Sequence, residues 1–400
     1  MGKPAAVAAT GRLETSSPGR HNVVMKRLAI TTAGWLLFWG WSVPAFGWSH
    51  QQHILMVRLS AARLIADPAT PPALAAFLKA NLSADDLTPA ALERLAVTDV
   101  VGDDPDGVAH GLDRWVTVPD QVRRKPEGQV KLQPYDAIED VMHNLGAESF
   151  NHGDHLYHDD LSGKPDFVRD VPNDPHDPRY RRGGFVPLRA QECYANLVNA
   201  IKLGDVPGQL KWAGYLAHYL QDSTQPQHAT VDTKSIAYLA GRVPGVPAAA
   251  SRPANGAIAA GRLPKGMNPH TDMEYTLFAS AAEPLGKWRR ASWAELQSAL
   301  AKPTPMANAH PLPAGADGVF QLDLMVLSDS YDALPLVGRA AAEAYRTGTF
   351  DPAAFYAHAG PVDGRETTVV QLMADRNAAA VRQVELLYRA AWGQGVDEKH

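Results

Sequence analysis

Several of the chain's fifteen histidines stand at spacings that let them share a metal ion with a carboxylate. In His218-Tyr219-Leu220-Gln221-Asp222-Ser223-Thr224-Gln225-Pro226-Gln227-His228, His218 and Asp222 are four residues apart, so on a helix both side chains leave one face and reach one ion. Pro226 ends such a helix and turns the chain, letting His228 approach from another direction. An imidazole is a good neutral zinc ligand, and a carboxylate can bridge two ions through its two oxygens. The spacing recurs in His270-Thr271-Asp272-Met273-Glu274. With His228, the pair His270 and Glu274 makes a three-ligand set that leaves room for water or a phosphate oxygen. Each motif also has a plainer reading. The first can be a polar helix end with incidental histidines, and the second an acidic first turn in which Asp272 and Glu274 complement the helix dipole. A third group opens at Trp48-Ser49-His50-Gln51-Gln52-His53.

Helices must position these residues. Apolar residues recur at helical spacing from His50 to Ala66, and Pro71-Pro72 and Thr88-Pro89 open two further helices over about 71–82 and 88–98. The stretch 102–128, full of Asp, Gly and Pro, reads as a loop, and 134–143 as a short helix. Between Gly146 and Gly184 the chain has several histidines, many turn signals and little periodicity, a pattern of irregular backbone. Helices resume over about 188–203 and 207–222, the second carrying His218 and Asp222. The Ala-, Gly- and Pro-rich segment 233–268 is expected to be a mobile surface insertion. Helices from about Pro269, then near 291–301, 317–345, 351–357 and 366–393, complete the body. With no convincing strand alternation and no repeat, the expected class is all-α, a single multi-helical domain over 48–400.

Composition narrows the function classes. With 45% apolar residues the chain can bury a full core, and its formal charge of −5 is spread without a basic stripe that would follow a nucleic-acid duplex. Lys26-Arg27, the short apolar run Leu28 to Pro44 and small residues before a cut after Gly47 make a signal peptide pattern, so residues 1–47 are expected to be removed and the protein exported, periplasmic or secreted. Met25 can serve as the true start. The one cysteine, Cys193, rules out an intramolecular disulfide, and bound metal is one of the few substitutes for rigidity in an exported chain. Cys193 lies in an apolar-periodic run and is expected to be a small buried hydrophobe.

Together, the N-terminal Trp48 with its nearby histidine, the His218-x-x-x-Asp222 pair followed by Gln225-Pro226-x-His228-Ala229, and His270-x-x-x-Glu274 resemble the zinc-dependent phospholipase C and single-strand-specific nuclease superfamily. The resemblance covers Trp48 to about Leu285 in scattered motifs. It implies three zinc ions. One is held by the α-amino group and carbonyl of Trp48 with His53 and bridging Asp222, so that signal cleavage creates the site. A second is held by His218, Asp222, His155 and an upstream aspartate, and a third by His228, His270 and Glu274. His53 rather than His50 fits the family's sixth mature position. His155 matches a family segment imperfectly, which leaves His152 as a rival. Asp99, Asp103, Asp104 and Asp106 offer the upstream carboxylate, Asp99 and Asp106 best, and the resemblance gives it the role of orienting or deprotonating the attacking water.

The implied reaction is metal-assisted hydrolysis of a phosphodiester. Glu274, where the nuclease branch carries Asp, and the lack of disulfides favour a phospholipase C that cleaves phosphatidylcholine-type lipids, with transient contact to a membrane surface. The alternatives are a single-strand nuclease, whose partner is single-stranded nucleic acid, and a non-catalytic exported zinc-binding protein.

Overall fold

The computed structural model describes residues 48–98, 111–121, 123–124, 130–131, 186–230, 234–250, 252–260, 262–274 and 285–397. The chain is mostly helical. Ser49 opens α1 (His50–Ala66) with a reciprocal cap: its hydroxyl accepts from Gln52 N at 3.3 Å while the Gln52 side chain reaches back to Ser49 N. Helices α2 (Pro72–Asn81) and α3 (Pro89–Val97) follow, the latter capped by Thr88. These three lie where the apolar spacing puts them.

The next helix, α4 (Leu112–Gln121), falls in the stretch read from sequence as a loop. Pro119 and three β-branched residues make LDRWVTVPDQ a poor helix by propensity. Burial decides instead: Leu112, Val116 and Val118 are wholly buried, and Arg58 of α1 reaches the buried Asp113 carboxylate through Nε at 2.9 Å and Nη2 at 2.7 Å. Two-residue strands β1 (Arg123–Arg124) and β2 (Val130–Lys131) then pair antiparallel.

Helices α5 (Val186–Leu203) and α6 (Val206–Ser223) form a packed pair, with α4 also against α6. Asp205 caps α6 by accepting from Gly208 N at 3.1 Å. From Ala213 to Ser223 every residue of α6 is buried, so this half is enclosed on all sides, polar residues included. A short 3-10 turn, Pro226–Ala229, continues from it.

The segment expected to be a mobile surface insertion is folded where described. It contains α7 (Ile236–Leu239) and α8 (Arg252–Ala259), and buries Tyr238, Leu239, Ala249 and Ile258. Its alanines and prolines gave no periodicity to read, yet Tyr238 packs so closely on Gly338 that a side-chain carbon there would clash with the ring.

The remaining helices are α9 (Pro269–Glu274), α10 (Leu285–Ala301), α11 (Gly318–Ala344), α12 (Pro352–Tyr356) and α13 (Val369–Asp397). Between the last two lies an antiparallel hairpin, β3 (Ala359–Val362) and β4 (Arg365–Thr368), in place of the expected absence of strands. Its two-residue loop, Asp363-Gly364, has φ of 49° and 71°, the left-handed pair that such a tight hairpin requires and that Asp-Gly adopts readily. One large apolar core joins α1, α5, α6, α11 and α13, and Cys193 is buried in it as expected. Among the described residues no helix is long and apolar enough to cross a membrane.

Candidate metal centre

The buried end of α6 gathers the chemistry. His218 and Asp222 leave one face of the helix, and His53, the fourth residue of α1, reaches the same carboxylate. Nε2 of His53 is 3.3 Å from Asp222 Oδ1, and Nε2 of His218 is 3.1 Å from Oδ2. The two imidazoles stack with ring centroids 4.3 Å apart. All three residues are wholly buried, and one ligand atom from each lies within 4.8 Å of the others, a group that can hold a metal ion.

The outer nitrogens of both rings are anchored. His53 Nδ1 donates to Gln221 Oε1 at 2.6 Å, and His218 Nδ1 donates to the Val116 carbonyl on α4 at 2.9 Å. A carbonyl oxygen can only accept, so Nδ1 carries the proton in each ring. In the neutral tautomer both Nε2 lone pairs then face Asp222. Two acceptors and a carboxylate at such distances need a cation or protons among them, and this arrangement of imidazoles oriented by carbonyl oxygens is the one metal-ligating histidines adopt. Burial alone would raise the Asp222 carboxyl, but the charge and hydrogen bonds of His218 and then His53 outweigh it and hold Asp222 well below the usual carboxylate range. The donor set of two nitrogens and a carboxylate suits zinc, among other divalent ions.

Trp48 is at this site through its side chain: the wholly buried indole donates to the Gln221 carbonyl at 2.9 Å and to Thr224 Oγ1 at 3.1 Å. Gln221, which sequence reading passed over, thus receives Trp48 on its backbone and His53 on its side chain. His50 is buried as well.

A second histidine pair joins the 3-10 turn to α9. Nε2 of His228 and Nε2 of His270 are 2.8 Å apart, and both rings are wholly buried. Two hydroxyls hold α9 in place: Tyr345 donates to the Asp272 carboxylate and Tyr356 donates to the Asp272 carbonyl at 2.8 Å. Asp272 therefore pairs with Tyr345 and does not serve only the helix dipole. Glu274 ends α9 one turn after His270, and its side chain lies outside what is described, as do Asp99, Asp103, Asp104, Asp106, His152 and His155.

Of the proposed ligands, the structure brings together His53, His218 and Asp222 with Trp48 beside them, and separately His228 with His270. Besides Gln221, sequence reading missed the Val116 carbonyl, on the helix taken for a loop. It also passed over Asp323 of α11, a wholly buried carboxylate. Its position in Val319-x-x-Leu322-Asp323-x-x-Val326-Leu327, an acid inside an apolar stripe, was the available signal. No family model, no curated protein and no solved structure matches this chain.

Proposed function

We propose that this protein is an exported zinc-dependent phosphodiester hydrolase, a phospholipase C acting on phosphatidylcholine-type phospholipids. The observation that carries the reading is the convergence of His53 and His218 on Asp222, with each outer ring nitrogen tied to a carbonyl oxygen. Any buried imidazole N–H needs an acceptor, but two rings whose outer nitrogens are tied so that both inner nitrogens face one buried carboxylate form the pattern that metal ligands show.

Two further features support it. Trp48 is seated on Gln221, next to Asp222, as a residue would be whose freed amino group joins the same centre after cleavage at Gly47. The His228–His270 pair supplies two imidazoles for a second ion, with Glu274 one turn further along the same helix. Bound zinc would polarise phosphoryl oxygens and make hydroxide available near neutral pH. This chain's residues contribute the rest. Asp222 stays ionised to hold cations, Gln221 and Val116 fix the imidazole tautomers, and complete burial of the three residues keeps bulk water from weakening their interactions. Glu274 favours the lipid branch of the resembled superfamily.

The test uses protein beginning at Trp48, assayed for phosphocholine release from phosphatidylcholine and nucleotide release from single-stranded DNA, with and without a zinc chelator. Chelator-sensitive lipid cleavage alone is expected. Chelator-sensitive nucleotide release alone would move the protein to the nuclease reading, and zinc bound without hydrolysis of either substrate would leave a non-catalytic zinc protein.

A further inference from the structure

Behind Asp222 lies a second carboxylate that the proposed ligand sets do not use. The last turn of α6 is locked to α11 and α13. Ser330 Oγ donates to the Ser223 carbonyl at 2.6 Å, and the buried Arg376 guanidinium donates through Nε to the Thr224 carbonyl at 3.1 Å and through Nη2 to Ser330 Oγ at 2.8 Å and the Val326 carbonyl at 2.9 Å. Asp323 sits one turn before Val326 on this same buried face of α11. Its side chain is wholly enclosed. Neither carboxylate oxygen accepts a hydrogen bond of ordinary geometry, and the nearby Ser223 hydroxyl is directed to the Tyr219 carbonyl at 2.9 Å.

A buried carboxylate in this state is costly, and an apolar residue of like size would pack there at less expense. Burial pushes the Asp323 carboxyl up to about 8; the Ser223 hydroxyl opposes this, and the like charge of Asp222 adds a smaller upward push. The interior of the fold thus holds a second acid within the field of Asp222, and only Asp222 is matched by imidazoles. A cation at the centre would favour the ionised form of both. Asp323 falls outside the three-residue group whose ligand atoms lie within 4.8 Å of one another, so its contact with an ion there would be indirect.

We propose that Asp323 is the outer carboxylate of the metal centre, accepting a hydrogen bond from a water that lies between it and the ion held by His53, His218 and Asp222. The proposal rests on reading that group as a metal centre. Asp323 is then a positioning residue: it fixes where that water stands and adds negative charge that tightens the hold on the cation. Loss of such an outer partner typically lowers metal affinity about 10-fold to 100-fold.

The experiment is zinc affinity at neutral pH, by competition with a chromophoric chelator, for the wild type, Asp222→Asn and Asp323→Asn, beside metal-free melting temperatures of all three. Asp323→Asn is expected to bind zinc about 10-fold or more weakly while melting, metal-free, no lower than the wild type. A purely structural Asp323 would move the metal-free melting temperature and leave zinc affinity alone. Affinity within about twofold of wild type in Asp323→Asn, with affinity lost in Asp222→Asn, would overturn the role of Asp323 and leave the metal centre standing. A wild type that takes up no zinc would remove both. Should Asp323→Asn fail to fold, Asp323→Ser is measured in the same way and read by the same outcomes.

Discussion

Gly214 stands one helical turn before His218, and replacing it with alanine should disturb the metal centre from a distance. A side-chain carbon at Gly214 would lie 2.6 Å from the Trp115 carbonyl carbon, 3.0 Å from its Cα and nearer still to its Cβ. These are mostly backbone atoms of α4, which cannot swing aside as a flexible side chain would. Relief requires α4 to move off α6 by about 1 Å, since ordinary carbon contacts begin near 3.5 Å. Val116, the next residue of α4, holds His218 Nδ1 at 2.9 Å, so that shift loosens the bond that sets the His218 tautomer. Overpacking costs about 1–3 kcal/mol, and a buried imidazole N–H left without its acceptor adds about 1–3 kcal/mol. Better helix propensity returns about 1 kcal/mol, for a net loss of about 1–5 kcal/mol. Urea unfolding of the metal-free variant measures this, and zinc affinity should fall about 10-fold with it. Gly393→Ala, where an added carbon meets nothing within 4 Å, is the control and should be neutral or slightly stabilising. A Gly214→Ala protein as stable as Gly393→Ala, with wild-type zinc affinity, would show that α4 does not position His218.

Two further outcomes concern the frame. Asp113→Asn leaves the buried Arg58 guanidinium with only the half-exposed Asp86, 3.2 Å from Nη1, and should cost about 3 kcal/mol in urea unfolding. Asp375 is raised above its ordinary 3.8, mainly by burial, so its contribution is fully present at lower pH and is lost as pH climbs through the folded-state value; Asp375→Asn should therefore gain stability relative to wild type between about pH 4 and 7, and an equal difference at both ends would refute this.

Where a helix carries its own signals, the sequence spelled it out. The Ser49 cap with Gln52 and a continuous apolar pattern gave α1 its limits, and prolines marked the starts of α2, α3 and α6. What was hidden depends on distant partners. LDRWVTVPDQ becomes helical because α6 and Arg58 cover it, not because of its own preferences. The β3–β4 hairpin was marked by Asp363-Gly364, but its short flanks, with Gly360 and Pro361 among them, lack the alternation that flags strands. Similarly, spacing placed His218 and Asp222 on one face, whereas the arrival of His53 followed only from resemblance. Gln221 and Val116 could not be foreseen, since one acts through an unremarkable amide and the other through a backbone carbonyl.

The end of α6 explains why the centre is built there. A helix leaves its last carbonyls without partners, and burying them without replacement is expensive. Here three elements supply the donors: the Trp48 indole for Gln221, the Ser330 hydroxyl for Ser223 and the Arg376 guanidinium for Thr224. Arg376 also brings positive charge to the negative end of the helix dipole. Asp222 is thereby fixed from behind by α11, α13 and the segment leading into α1, while its carboxylate is left to the imidazoles. The tie to Trp48 has a second consequence. It pins the start of α1 to the end of α6, and His53 is carried to Asp222 by the first turns of a helix whose origin cannot shift. The side chain of residue 48 therefore does structural work at the centre whatever its backbone amino group does there.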